Sequence, residues 1–119
     1  MIVRASLIPV AGAAFLALTG CAAPLPESDH ADLAYAKLSP AHTLDIYLPE
    51  GDGPFPLVIN IHGGGFRMGD KDMLDAPIAK ALLDKGIAVA SIDYRLSGEA
   101  KFPAAIEDAK AAVRFLRAN

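Results

Sequence analysis

One stretch of the sequence constrains the fold more than any other. It is the apolar run from Leu57 to Ile61, which ends in a histidine and three consecutive glycines. A short continuous apolar run predicts a strand buried on both faces, as in a parallel sheet. The glycines predict a tight turn at the carboxyl end of that strand, because a residue without a Cβ atom allows the backbone close to a ligand. That edge of an α/β sheet is where ligands bind.

Two phosphate-binding motifs are excluded by the residues that follow the turn. A dinucleotide fingerprint requires G-x-G-x-x-G, and Met68 stands where the third glycine belongs. A P-loop requires Gly-Lys followed by Ser or Thr, whereas Gly69 is followed by Asp70 and then Lys71. A glycine-rich turn with a purely structural purpose stays open if these residues are considered alone.

The run His62-Gly63-Gly64-Gly65 resembles the oxyanion-hole loop of α/β-hydrolase esterases and lipases. The resemblance implies that the main-chain N–H groups of Gly64 and Gly65 are oxyanion donors, and that His62 and Gly63 support the loop. In that family the catalytic base comes from a loop near the carboxyl end of the domain. His62 is therefore expected to orient the loop by hydrogen-bonding nearby backbone. Donors of this kind contribute about 3–4 kcal/mol each in acyl transfer.

The flanking residues predict further strands. Residues 44–48 alternate apolar and polar side chains, which indicates a half-buried strand near a sheet edge. Residues 49–54 are rich in proline and glycine and predict a surface turn. Residues 87–92 form a second apolar strand. A strand, helix, strand order implies that the two apolar strands pair in parallel through a right-handed crossover.

Two helices are predicted from apolar residues at helical spacing. The first has Asp75 as its N-cap, Pro77 in its first turn and Gly86 at its end, with an apolar stripe at Leu74, Ile78, Ala79, Leu82 and Leu83. The second begins at Phe102-Pro103 and runs to residue 119, with an apolar stripe at Ile106, Ala109, Val113 and Leu116. Between them, Tyr94 and Arg95 either line the cleft or hold the loop to its neighbours, and the structural role is favoured.

Residues 44–119 resemble secreted carbohydrate esterases of the feruloyl-esterase type. The resemblance implies an α/β fold, namely the amino-terminal part of an α/β-hydrolase sheet with mostly parallel strands and crossover helices. No serine lies on a G-x-S-x-G elbow, so the chain is expected to stop before the nucleophile strand, with nucleophile, acid and base beyond residue 119. Without that strand, residues 57–61 should form an exposed apolar edge and favour aggregation.

The amino terminus predicts a targeting segment rather than part of the fold. Arg4 precedes an uncharged stretch that is shorter than the roughly 20 residues needed to span a bilayer. Leu18-Thr19-Gly20-Cys21 resembles a bacterial lipobox, and Cys21 is the only cysteine of the chain. We therefore expect a lipoprotein signal peptide at 1–20, a tether at 21–34 and the partial hydrolase domain at 35–119. Lipidation of Cys21 would anchor the protein to a bacterial membrane, facing the periplasm or the exterior.

The expected function is serine-type ester hydrolysis. The substrates implied by the resemblance are small-molecule or polysaccharide esters, and no metal or organic cofactor is implied. The mild excess of acid, 14 Asp and Glu against 11 Lys and Arg, gives no reason to expect nucleic acid as a partner. His30, His42 and His62 lack metal-ligand spacing and are expected to be surface or loop residues. The alternative is a non-catalytic, lipid-anchored pseudoenzyme or binding lipoprotein, since the chain has no recognisable nucleophile.

Overall fold

The computed structural model of the protein describes residues 24–119. The predicted signal peptide and the predicted lipidation site at Cys21 lie outside this range. The described residues form four strands and two α-helices, with a short 3-10 turn at Lys71–Met73. The elements are β1 (His30–Ala34), β2 (Thr43–Tyr47), β3 (Leu57–Ile61), α1 (Ala76–Leu83), β4 (Ala88–Ile92) and α2 (Ala104–Ala118). Within residues 24–119, no helix is both long enough and apolar enough to cross a membrane.

The four strands form one sheet in the order β1-β2-β4-β3. The predicted parallel pairing of the two apolar strands is confirmed, because β3 pairs with β4 from Leu57 opposite Ala88 to Ile61 opposite Ile92. The other two pairings, β1 with β2 and β2 with β4, are antiparallel. The described sheet is therefore mixed rather than mostly parallel. The turn at residues 49–54 reverses the chain between β2 and β3, and residues 35–42 reverse it between β1 and β2.

The first strand corrects the predicted boundary between tether and domain. His30–Ala34 was assigned to the tether, but it pairs with β2, with His30 opposite Ile46 and Ala34 opposite Thr43. Its sequence gives little strand signal, and the pairing contains an irregularity at which Asp32 adopts a φ of 52°. The Asp32 N–H donates to Oδ1 of Asp45 at 2.8 Å, which holds the irregular strand against β2. The sheet therefore begins at His30.

The two helices cover opposite faces of the sheet. On one face, Leu44 and Ile92 pack with Tyr35 and with Ala112 of α2. On the other face, Tyr47 and Val89 pack with Leu74 and with Ala79 of α1. All five residues of β4 are buried because this strand lies between β2 and β3 and beneath both helices.

The ends of α1 follow their predicted signals. The Asp75 side chain accepts a hydrogen bond from the Ile78 N–H at 2.9 Å, so it is the N-cap. Gly86 has a φ of 74°, a left-handed conformation that ends helices at low cost in glycine. The N–H of Ile87 then donates to the Leu82 carbonyl at 3.0 Å, which closes the helix end.

Burial differs from the prediction at five apolar positions. Residues 57–61 were predicted to be buried on both faces, but Leu57, Val58 and Ile61 are exposed, Ile61 by 54%, because β3 is an edge strand of the described sheet. This agrees with the expected exposed edge. Ile78 and Ile106 were placed on the buried helix stripes, and both are exposed. In α2 the buried positions are instead Ala104, Asp108 and Ala112, each four residues apart.

Candidate active site

The glycine loop follows β3 at the carboxyl edge of the sheet, and its backbone requires glycine. Gly64 has a φ of 115° and Gly65 a φ of 62°. A Cβ atom at Gly64 would overlap the carbonyl oxygen of Met68, and one at Gly69 would lie 2.6 Å from Nδ1 of His62. These close approaches fold the loop back on itself, which no other residue type would allow.

The predicted oxyanion donors are accessible. Among residues 24–119, no backbone or side-chain acceptor receives a hydrogen bond from the N–H of Gly64 or Gly65. Both glycines are exposed. The turn is closed instead by the Arg67 N–H, which donates to the Gly64 carbonyl at 3.1 Å. The loop therefore leaves two neighbouring main-chain donors free to bind a ligand oxygen, and Gly63 joins them to His62.

His62 is a loop residue, as predicted, and its side chain is buried. Its Nδ1 lies 2.8 Å from the Gly63 carbonyl oxygen, so the predicted contact with nearby backbone is present. Because a carbonyl oxygen only accepts, this contact places a proton on Nδ1. The ring stacks on Tyr94 with 4.3 Å between centroids and 10° between planes. The Tyr94 hydroxyl also donates to the His62 carbonyl at 2.9 Å, so Tyr94 holds both the backbone and the ring.

Phe66 follows the glycines with a φ of 61°, a left-handed conformation that bulky residues rarely adopt. Its carbonyl accepts a hydrogen bond from the Ser97 N–H at 2.7 Å, which ties the glycine loop to the segment after β4. The Phe66 ring meets the Tyr94 ring at 6.3 Å with an angle of 61° and stays 54% exposed. The strained backbone therefore presents an aromatic ring beside the glycines.

A cavity of about 620 Å³ lies next to the loop. Its volume is within the range of small-molecule sites. Gly65 borders it, whereas Gly64 is not among its lining residues. The wall opposite the loop comes from the segment after β4 and from the start of α2, through Ser97, Phe102, Ala105 and Ile106. Of the described residues that line the cavity, none is a histidine or a carboxylate.

Asp93 and Lys71 anchor the far end of the loop. Oδ1 of Asp93 accepts from the Lys71 N–H at 2.7 Å and lies 4.0 Å from Nε2 of His62. Burial raises the pKa of Asp93 above its ordinary value, although Lys71 opposes this effect. The Lys71 ammonium lies 2.9 Å from Asp45 and 3.0 Å from Asp32, and these carboxylates raise its pKa against the opposing effect of burial. This ion cluster joins the loop to β1 and β2.

Arg95 and the buried Asp108 form a second ion cluster, which was not predicted from the sequence. The Arg95 guanidinium donates to Asp108 at 2.9 and 2.7 Å, and the Arg95 N–H donates to the same carboxylate at 3.0 Å. Nε2 of His42, also buried, lies 3.0 Å from Oδ1 of Asp108. Burial alone would raise the pKa of Asp108. The contacts with Arg95 and His42 lower it by more, so the pKa of Asp108 lies below its ordinary value.

A sequence signal for this cluster did exist. Asp108 lies four residues from both Ala104 and Ala112, so all three share one helix face, and that face packs on the sheet. Tyr94 and Arg95 were predicted to hold the loop to its neighbours, and the contacts to His62 and Asp108 confirm this role. Within residues 24–119, no group of three or more His, Cys, Asp or Glu side chains could hold a metal ion.

Comparison with known proteins identifies the family. A family model described as BD-FAE matches residues 44–119. The chain belongs to the BD-FAE family. The matched range begins in β2 and includes the glycine loop, both α-helices and β4. Esterase homologues and structural neighbours support the α/β-hydrolase esterase class and confirm the predicted α/β fold.

Individual relatives agree with this class. The carboxylic ester hydrolase LipN of Mycobacterium tuberculosis is 50% identical over 66 residues, which are 56% of this chain and 18% of LipN. A truncated carbohydrate esterase from gut microbiota has a TM-score of 0.70 at 42% identity, covering 76% of this chain and 33% of that one. A bifunctional GH43-CE protein of Bacteroides eggerthii has a TM-score of 0.68 at 47% identity, and the match covers 76% of this chain and 12% of that one. The chain spans about a fifth of the length of the curated relatives it matches.

Proposed function

We propose that the protein to which these residues belong is a serine-type carboxylic ester hydrolase that acts on acyl or carbohydrate esters. The observation that supports this most directly is the pair of free N–H groups at Gly64 and Gly65 at the carboxyl edge of the sheet, where Gly65 borders a cavity. In acyl transfer the carbonyl oxygen of the substrate becomes negatively charged. Fixed main-chain donors stabilise that charge without reorganising during the reaction.

The role of His62 in this proposal is to position the loop. Its Nδ1–H is directed to the Gly63 carbonyl, and its ring is covered by Tyr94, so it has no free face for a substrate. Gly63 connects this fixed histidine to the two donors. The serine nucleophile, its base and its acid belong, in this proposal, to parts of the protein other than residues 24–119. The chemistry requires no metal or organic cofactor, because a serine triad with an oxyanion hole suffices for ester hydrolysis.

The named activities of the relatives support the substrate class. LipN is called a carboxylic ester hydrolase, and the gut-microbiota relative is called a carbohydrate esterase. Both small acyl esters and acylated polysaccharides therefore enter the proposal. The volume of about 620 Å³ beside Gly65 accommodates one small acyl or aryl group.

The test uses the protein as its host produces it. We expect p-nitrophenyl acetate to be hydrolysed, and we expect a serine-directed phosphonate to abolish the turnover. Mass spectrometry should then locate one phosphonyl adduct on a serine. Absence of turnover and of adduct would contradict the proposal and would favour the non-catalytic lipoprotein.

We also propose that the protein is anchored to the bacterial cell envelope by lipid on Cys21, facing the periplasm or the exterior. The support is the sequence Leu18-Thr19-Gly20-Cys21 after a short uncharged segment. Metabolic labelling with radioactive palmitate should label the wild-type protein and leave Cys21→Ser unlabelled. A Cys21→Ser protein that stays in the membrane fraction would contradict the anchor.

A further inference from the structure

The cavity beside Gly65 has an unbalanced charge. Of the described residues that line it, none is an aspartate or a glutamate, whereas two are arginines, Arg67 and Arg95. The protein as a whole has the opposite sign, with a formal net charge of −3. The positive character of the cavity is therefore a local property.

Only one of the two arginines has a charge free for a ligand. The charge of Arg95 is balanced by Asp108, because the Arg95 guanidinium makes two hydrogen bonds to that carboxylate. Arg67 is exposed and forms no ion pair within 4.0 Å with any residue of the described range 24–119. Asp70, Asp93 and Glu99 line a neighbouring cavity that Arg67 also borders, so the unpaired guanidinium lies between an acidic cavity and one without acid.

The apolar part of the cavity is unusually open to solvent. Phe102 is 88% exposed, and Phe66 and Ile106 are each exposed by more than a third. These side chains surround the same space as Arg67. A ligand with an apolar body and one negative charge would cover the rings and neutralise the arginine at the same time.

The backbone of Arg67 is fixed by the loop that holds the proposed oxyanion donors. The Arg67 N–H closes the turn on the Gly64 carbonyl at 3.1 Å, and the preceding Phe66 carbonyl is bound to Ser97 at 2.7 Å. A substrate whose carbonyl oxygen reaches the glycine N–H groups would thus have another part of its structure near Arg67.

We propose that Arg67 makes this site selective for esters that have a carboxylate on an apolar body. The inference rests on the proposed hydrolase function, since it concerns the substrate of the same site. An ion pair at an exposed position is worth little, so the selectivity is modest. We expect a preference of about two- to fivefold in kcat/KM over a neutral analogue, at low ionic strength.

The test compares matched substrates in the protein produced by its host. Mono-p-nitrophenyl adipate is compared with its methyl ester, which places the charge on the acyl side. The second pair is p-nitrophenyl acetate with a carboxylate on its ring and the methyl ester of that carboxylate, which places the charge on the alcohol side. At least one pair should show the preference, and added salt should reduce it. Arg67→Gln should abolish the preference, and Arg67→Lys should retain part of it.

Lys101→Gln is the matched control, because Lys101 is an exposed cation next to Phe102 that does not line the cavity. It should keep the wild-type preference. Equal kcat/KM within both pairs, or a preference that survives in Arg67→Gln, would overturn the role of Arg67 while leaving ester hydrolysis intact.

If no ester is hydrolysed, the proposed function fails. Ligand binding then tests whether Arg67 forms an anion site. Benzoate and benzamide are then titrated separately, with chemical shifts of the cavity residues as the measurement. Stronger binding of benzoate that is lost in Arg67→Gln supports an anion site. Equal binding of the two probes, or no binding, overturns it.

Discussion

Tyr94 is the residue on which the shape of the glycine loop depends most directly. Its hydroxyl binds the His62 carbonyl at 2.9 Å, its ring stacks on the His62 ring, and its edge meets Phe66. Burial raises the pKa of this hydroxyl, so it is a neutral donor at neutral pH. The loop is therefore positioned by one aromatic residue from the neighbouring strand end rather than by its own glycines alone.

Replacing Tyr94 by Phe should reduce hydrolysis more than it reduces stability. The lost hydrogen bond leaves a buried carbonyl without its donor, which costs about 1–3 kcal/mol of unfolding free energy. Because the loop then moves relative to the substrate, kcat should fall about tenfold or more with a smaller change in KM. Steady-state kinetics and urea unfolding measure both effects.

Tyr35→Phe provides the control for this prediction. The Tyr35 hydroxyl donates to the Asp93 carbonyl at 2.6 Å, so the same chemical change is made outside the glycine loop. It should lower the unfolding free energy by a similar amount and leave kcat nearly unchanged. An equal loss of kcat in both variants would show that Tyr94 acts only through stability.

A separate prediction concerns how Asp108 affects the pH dependence of the unfolding free energy. The pKa of Asp108 lies below the ordinary value in the folded state, so its ionised form stabilises the fold. That contribution is complete above the ordinary aspartate pKa of about 4 and is lost as the pH falls through the lower folded value. Asp108→Asn should be less stable than wild type by about 1.5–3 kcal/mol at pH 7, because the partly exposed Arg95 guanidinium loses its charged acceptor.

The comparison needs urea unfolding at pH 7 and below pH 4. The difference between wild type and Asp108→Asn should shrink as the pH falls, whereas the exposed Asp52→Asn should resemble wild type throughout. A difference that is constant with pH would contradict an ionised Asp108 in the folded state.

At the scale of elements, α1 is the part of the fold that local sequence specifies most completely. Asp75 caps its first turn, Pro77 lies where a missing N–H is harmless, and Gly86 ends it in a left-handed conformation. Asp84, near the carboxyl end, is paired with Lys80 at 2.8 Å on the surface. Asp75 should therefore contribute much more to stability than Asp84.

Asp75→Ala should lower the unfolding free energy by about 1 kcal/mol, because the Ile78 N–H loses its acceptor. Asp84→Ala should change it by less than about 0.5 kcal/mol, since exposed pairs are weak and an acid near a helix carboxyl end is unfavourable. Thermal unfolding of the two variants measures this contrast, and equal destabilisation would contradict the assignment of Asp75 as the cap.

The second prediction at this scale concerns aggregation through strand β3. This strand is an edge strand of the described sheet with Leu57, Val58 and Ile61 partly exposed. An apolar edge pairs readily with other chains. Residues 24–119 expressed alone should therefore aggregate, and Val58→Lys should reduce light scattering relative to the control Lys85→Arg. A wild-type fragment that stays monomeric and unfolds cooperatively would disprove this expectation.

For the whole molecule, the sequence predicts what depends on local signals and misses what depends on distant partners. The β3-α1-β4 unit and the glycine loop follow from periodicity, caps and the three glycines. Strand β1 could not be predicted, because His30–Ala34 becomes a strand only by pairing with β2. The burial of His42 was missed for the same reason, since its charged neighbour is Asp108, which is distant in sequence. The burial of Asp108 did have a local signal, because Asp108 lies on the helix face of Ala104 and Ala112.

The most direct test of the proposed site replaces Gly64 by Ala, with Gly51→Ala as the matched control. Gly64 has a φ of 115° and Gly51 a φ of 106°, so both variants strain the backbone similarly. An added Cβ at Gly51 meets nothing within 4 Å, whereas at Gly64 it would overlap Met68 and displace the amide. Gly51 lies between β2 and β3, at the opposite edge of the sheet from the loop.

We expect Gly64→Ala to lower kcat for p-nitrophenyl acetate by about 10²–10³-fold, the usual effect of losing one oxyanion donor. Circular dichroism should show that the variant is folded, and Gly65→Ala, which has open space for its Cβ, should give a smaller loss. Gly51→Ala should keep the wild-type kcat. A folded Gly64→Ala protein with the wild-type kcat would contradict the oxyanion role of this loop.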